Sequence, residues 1–77
     1  MGDTTLKEIQ IWSEYITLGQ LLKLANVISN GAEAKGYLAE VMPLVNGEDE
    51  NRRGKKLYPG DKIELPDGQG FVISAQA

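Results

Sequence analysis

Arg52, Arg53, Lys55 and Lys56 fall within five consecutive positions of a chain that is acidic overall. The 77 residues carry 8 Lys and Arg against 11 Asp and Glu, a formal net charge of -3, so half of the cations sit in one stretch. Arg offers phosphate oxygens a planar fork of donors, and Lys offers a compact charge. Gly54, in their midst, permits close approach of the backbone or a turn with positive φ. A cation cluster in an acidic chain suits a polyanion, and phosphate-backed nucleic acid is the commonest one. Tyr58 is the one aromatic close to the cluster. Recognition of folded RNA by shape and backbone therefore fits better than reading of a single strand by stacked aromatics. The plainer alternative is a solubilising loop on a charged face.

Other chemistries find little to work with. The chain has no Cys, which excludes disulfides, thiolate zinc sites and cysteine nucleophiles. It has no His, the usual general base and the commonest transition-metal ligand. Glu48, Asp49 and Glu50 run together and could hold a hard cation, but their spacing is not that of a calcium loop. A solvated turn is the expectation there. No paired constellation of carboxylates, Lys or Tyr stands out, so no catalytic residue, metal or cofactor is expected. No apolar run approaches the roughly 20 residues that span a bilayer. The stretch MGDTTLKEIQ lacks the apolar segment of a secretory signal. These features describe a cytoplasmic protein without a membrane partner.

The elements that must position the cations can be read in order. A chain this short makes one domain over residues 1–77. Alternation of Ile9 and Ile11 with Lys7, Glu8 and Gln10 predicts a strand over about Lys7–Ile11. Trp12, near its end, could stack a base, but an aromatic at an edge is more often core or rim packing, and packing is expected. Thr17 and Gln20 have the spacing of a capping box, with Ile16 and Leu21 as a hydrophobic staple. They open a helix whose stripe is Leu18, Leu21, Leu22 and Ala25, with Lys23 on another face. Asn30 and Glu33 announce a second helix, from about Gly31 or Ala32 to Glu40, after a link of three to five residues. Ala34, Leu38 and Val41 share one side of it and Lys35 projects from another.

Pro43 ends that helix pattern. Leu44-Val45 is a short strand, and Asn46-Gly47 is a strong hairpin turn. Pro59-Gly60-Asp61 turns the chain beyond the basic loop. Lys62–Leu65 alternates as a strand with Ile63 and Leu65 inward, and Phe71–Ser74 closes the series. Ala75, Gln76 and Ala77 read as a frayed tail. The sum is an α+β fold, two short packed helices on one side of a small, mainly antiparallel sheet.

In this order, the helix pair with Glu33-Ala34-Lys35, Val45-Asn46-Gly47, the basic Arg52-Arg53-Gly54-Lys55-Lys56 and Pro59-Gly60-Asp61 resemble the alpha-L RNA-binding motif. This is the domain named after the fourth protein of the small ribosomal subunit. The chain is most similar to small stand-alone bacterial members of the YbcJ/YaaA-like type, with a motif core at about residues 15–65. It departs from the usual pattern at Gly31, where Arg is common, and at Val41, Pro43 and Asp49. The resemblance implies non-catalytic binding of structured RNA, ribosomal RNA among the candidates, by the second helix and a basic loop. The residues it implies are Lys35, Arg52, Arg53, Lys55 and Lys56, with Lys23 as a weaker candidate on the first helix. The competing reading is a small protein-interaction module that docks an acidic partner.

Overall fold

A computed structural model describes residues 6–75. The first strand, β1 (Leu6–Ile11), lies parallel to the last, β7 (Gly70–Ala75), pairing Ile9 with Ile73 and Ile11 with Ala75. Antiparallel neighbours extend the sheet from β7 through β6 (Lys62–Glu64) and β3 (Leu44–Val45) to β4 (Glu48–Asp49), in the order β1-β7-β6-β3-β4. A second, two-stranded sheet joins β2 (Ile16–Thr17) antiparallel to β5 (Lys56–Leu57). With two helices, this is the expected α+β architecture on a mainly antiparallel sheet. The parallel β1–β7 pair and the small second sheet were not foreshadowed by the strand patterns.

Period-two alternation decides which side of each strand is buried. Ile11, Val45, Ile63, Leu65, Phe71 and Ile73 turn inward from the main sheet, while Lys62 and Glu64 stay exposed. Leu18, Leu21 and Leu22 of α1 (Leu18–Leu24) and Ala34 and Leu38 of α2 (Glu33–Glu40) complete the core with Ile16, Ile28 and Leu57. Among the described residues, no polar or charged residue is buried.

The ends of α1 follow from a few side chains. The Thr17 hydroxyl accepts from the Gln20 amide at 3.2 Å, and the Gln20 side chain accepts from the Thr17 amide at 2.9 Å, the expected capping box. At the other end Asn26 takes a left-handed φ of 61°. The Asn26 amide then donates to the Lys23 carbonyl and the Val27 amide to the Leu22 carbonyl, a Schellman ending. This closure stops α1 at Leu24, so the link to α2 runs from Ala25 to Ala32, longer than expected. Asn30 and Glu33 do mark the entry to α2. The Asn30 side chain accepts from the Ala32 amide at 3.0 Å, and the Glu33 carboxylate accepts from the Ser29 and Asn30 amides.

Three expectations are corrected. Trp12 is not packed against core or rim: β1 ends at Ile11, the chain bends, and the indole is 79% exposed. Ile11, the last residue of the strand, is buried, and the bend carries Trp12 away from the sheet. Glu48 and Asp49 are solvated as expected but form edge strand β4 of a hairpin and not a turn. Ala75 pairs in β7 and does not fray, while Gln76 and Ala77 lie outside the described residues. Pro43, at a departure from the family pattern, leaves β3 intact. It is buried just before the strand, and its carbonyl accepts from the Glu50 amide at 3.0 Å.

Candidate nucleic-acid interface

The basic loop is fixed by its backbone. A helix leaves its first amides without partners inside the helix. Here the loop supplies them: the Leu18 amide donates to the Lys55 carbonyl and the Gly19 amide to the Arg53 carbonyl, both at 2.9 Å. The Lys55 amide closes a turn on the Arg52 carbonyl at 3.1 Å. Immediately afterwards Lys56 and Leu57 pair with Thr17 and Ile16, and Leu57 is fully buried. Gly19 lies at the point of closest approach. A Cβ there would lie 3.4 Å from the Arg53 carbonyl oxygen and 3.6 Å from the Ala34 Cβ, so α1, α2 and the loop meet at this residue.

The cations presented by this frame are not equivalent. Arg52 is tied down, its guanidinium donating to the Glu50 carboxylate at 2.9 and 3.2 Å. The Arg52 amide donates to the same carboxylate at 3.0 Å. Those hydrogen bonds hold the Glu50 carboxyl down at about 2 and raise Arg52 further. The Lys56 ammonium sits 5.0 Å from the centroid of the Tyr15 ring, and Tyr15 in turn lies 5.7 Å from Tyr58. Arg53 and Lys55 have no side-chain hydrogen bond or ion pair among the described residues.

Two open depressions without a carboxylate flank the loop, and a third sets Lys55 and Lys56 beside Glu48, Glu50 and Asp61. One, of about 400 Å³, is lined by Lys23 and Arg53 together with Gly19, Gly31, Ala34 and Gly54. The other, of about 570 Å³, is lined by Arg52, Lys55 and Lys56 with Gly54 and Tyr58. The structure thus brings Arg53 together with Lys23, and Lys55 and Lys56 together with Arg52. Lys35 is exposed on α2, one residue past Ala34, and lines neither depression. Gly54 borders both. It does not take a left-handed φ, and a Cβ on it would meet nothing within 4 Å, so the fold makes no demand for glycine there.

Asn46 and Asp61 hold the base of the loop. Positive φ at Asn46 and Gly47, 54° and 86°, makes the type I′ turn that joins β3 to β4. The Asn46 amide group donates to Asp61 at 3.1 Å, and its oxygen accepts from the Lys62 amide at 3.0 Å. Asp61 also accepts from the Tyr58 amide at 2.8 Å, where the chain leaves β5. Read as a sequence, these residues mark two separate turns; the structure makes them one clamp between β3, β6 and the end of the loop. Turn chemistry gives no signal for a contact between residues so far apart in the chain.

The chain that builds this basic loop has known relatives. The S4 domain family model matches residues 9–74. The chain belongs to the S4 domain family. It is also 58% identical over 65 residues to the protein from Bacillus subtilis (strain 168) named "Probable ribosome maturation protein RlbA", covering 84% of this chain and 92% of that relative. Lys23, Lys35, Arg52, Arg53, Lys55 and Lys56 all lie within the matched span of this S4 domain. Among its described residues no group of His, Cys, Asp or Glu is arranged to hold a metal ion. No helix among them is long and apolar enough to cross a membrane.

Proposed function

We propose that this S4 domain protein binds structured RNA, without catalysing a reaction, through Arg52, Arg53, Lys55 and Lys56 with Lys35 on α2 and Lys23 on α1. The whole chain of residues 1–77 acts as one RNA-binding unit in the cytoplasm. The observation that carries the reading is the attachment of the loop carbonyls of Arg53 and Lys55 to the first amides of α1. A loop held in this way presents its cations from a fixed frame, which suits the regular phosphate spacing of folded RNA. Membership of the S4 domain family supports an RNA-related role. The ribosome maturation named in the Bacillus relative makes ribosomal RNA the first candidate.

The test compares Arg53→Gln/Lys55→Gln with Lys7→Gln, a change at an exposed position of β1. The loop variant should bind a structured RNA more weakly and keep its melting behaviour, because exposed charges contribute little to stability. Its log-affinity against log-salt slope should become shallower by roughly 0.7–0.9 per lost phosphate contact. Lys7→Gln should do much less. Equal effects per charge would refute a localised site and favour a module that docks an acidic protein partner.

A further inference from the structure

Trp12 has no structural task. Its indole is 79% exposed, beyond the end of β1. It lines an apolar depression of about 380 Å³ with Leu24, itself 58% exposed, and with Ile11, Ile16, Gln10 and Ser13. No charged residue lines this depression, in contrast with the two beside the basic loop. Two pairs of chain neighbours nevertheless connect it with the one that holds Lys23 and Arg53. Ile16 lines the apolar depression and its neighbour Thr17 the basic one; Leu24 lines the apolar depression and its neighbour Lys23 the basic one.

We infer that Trp12 is a stacking platform for an unpaired base of an RNA whose phosphates are held at Lys23 and Arg53, an inference that rests on the function proposed above. Chemistry and size select this occupant. A site without cations does not hold phosphate, but the face of a nucleobase is neutral and flat and stacks on indole. Two exposed large apolar side chains fall well short of a stable protein interface, which takes about 800 Å² from each partner. One base extruded from a helix needs no more than they provide. Lys23, the chain neighbour of Leu24 on α1, supplies the link between the stacked base and the phosphates of the same RNA. The protein would thereby distinguish RNA with a bulge or loop from a continuous duplex, a discrimination that phosphate contacts cannot make.

Trp12 is the single tryptophan of the chain, so it reports on itself. The experiment titrates the protein with a short blunt RNA duplex and with the same duplex carrying one extruded adenosine, exciting the indole selectively. The bulged RNA should quench Trp12 and the blunt duplex should leave it nearly unchanged. Trp12→Ala should weaken binding of the bulged RNA roughly 5- to 150-fold, the range for one stacked base, and leave duplex binding as it was. Trp12→Phe should keep most of the affinity, and both variants should melt like the wild type. Should Trp12→Ala fail to fold, the quench in the wild type and the affinity of Trp12→Phe decide. Equal binding of bulged RNA by Trp12→Ala, while Arg53→Gln/Lys55→Gln weakens it, would overturn the stacking site and leave the RNA-binding function standing. Binding of neither RNA by the wild type would overturn both.

Discussion

Gly19 is where the fold and the proposed RNA site are most directly coupled, and its substitution separates them. A Cβ on Gly19 would touch the Arg53 carbonyl oxygen at 3.4 Å, the Arg53 Cβ at 3.5 Å and the Ala34 Cβ at 3.6 Å. These are ordinary contacts, so alanine fits. Gly19→Ala should be neutral or stabilising, by at most about 1 kcal/mol, from the higher helix propensity of alanine. Leucine must place further carbons where the Cβ already touches the loop on one side and α2 on the other. Overpacking of this kind costs about 1–3 kcal/mol. If the loop yields, the Gly19–Arg53 backbone hydrogen bond is lost as well, at about 1 kcal/mol. Gly19→Leu should therefore be roughly 2–4 kcal/mol less stable than Gly19→Ala. It should also bind structured RNA more weakly although no charge has changed. Urea melts and RNA titrations on the two variants measure both quantities. A leucine variant as stable and as tight-binding as the alanine one would show that Arg53 is not held against α1.

Three further outcomes follow from named contacts. Glu50 is held at about 2 against an ordinary 4.5, chiefly by its hydrogen bonds to Arg52, so the pair contributes fully above about pH 4.5 and fades as pH falls toward 2. Glu50→Gln should flatten that acid loss in pH-dependent melts, cost little at neutral pH because Arg52 is solvent-screened, and raise RNA affinity by releasing Arg52. Thr17→Ala removes the capping acceptor of α1 and should destabilise by about 1 kcal/mol in denaturant melts. Leu22→Ala, at a fully buried site, should cost roughly 2–5 kcal/mol; a variant as stable as the wild type would place Leu22 outside the core.

What the chain reveals before folding is mostly local. The box at Thr17 and Gln20, the inward Ile9 and Ile11, and the Asn46-Gly47 turn each depend on residues a few positions apart, and each is present in the structure. Pairing is different. Alternation says which face of β1 is buried but not that β7 will lie beside it in parallel. Lys56-Leu57 is too short for any period, so β5 reads as loop, although its bond to β2 is what seats the cations on α1. The Asn46–Asp61 clamp is hidden for the same reason. At the candidate site the sequence locates the cations but treats the four in the loop alike. It cannot show that Arg52 faces Glu50, that Lys56 lies over Tyr15, or that Arg53 shares a depression with Lys23.

That inequality has a consequence for how the protein meets a polyanion. Helix N-termini often hold phosphate through their free amides. In α1 those amides are taken by the Arg53 and Lys55 carbonyls and by Thr17, so attraction must come from side chains. Arg53, Lys55, Lys23 and Lys35 make no ion pair among the described residues, whereas Arg52 must exchange Glu50, and Lys56 its place over Tyr15, for phosphate. At roughly 0.7–0.9 per phosphate contact, the proposed site gives a log-affinity against log-salt slope of about -3 when those four alone reach phosphate, and a steeper one when Arg52 and Lys56 join them. Glu50→Gln, which releases Arg52, should steepen it by nearly one more contact. A wild-type slope near -1 would mean that Arg53 and Lys55 do not reach phosphate together. An unchanged slope in Glu50→Gln would mean that Arg52 already engages RNA despite its carboxylate, in which case the acidic balance of the chain orients the encounter but does not ration its contacts.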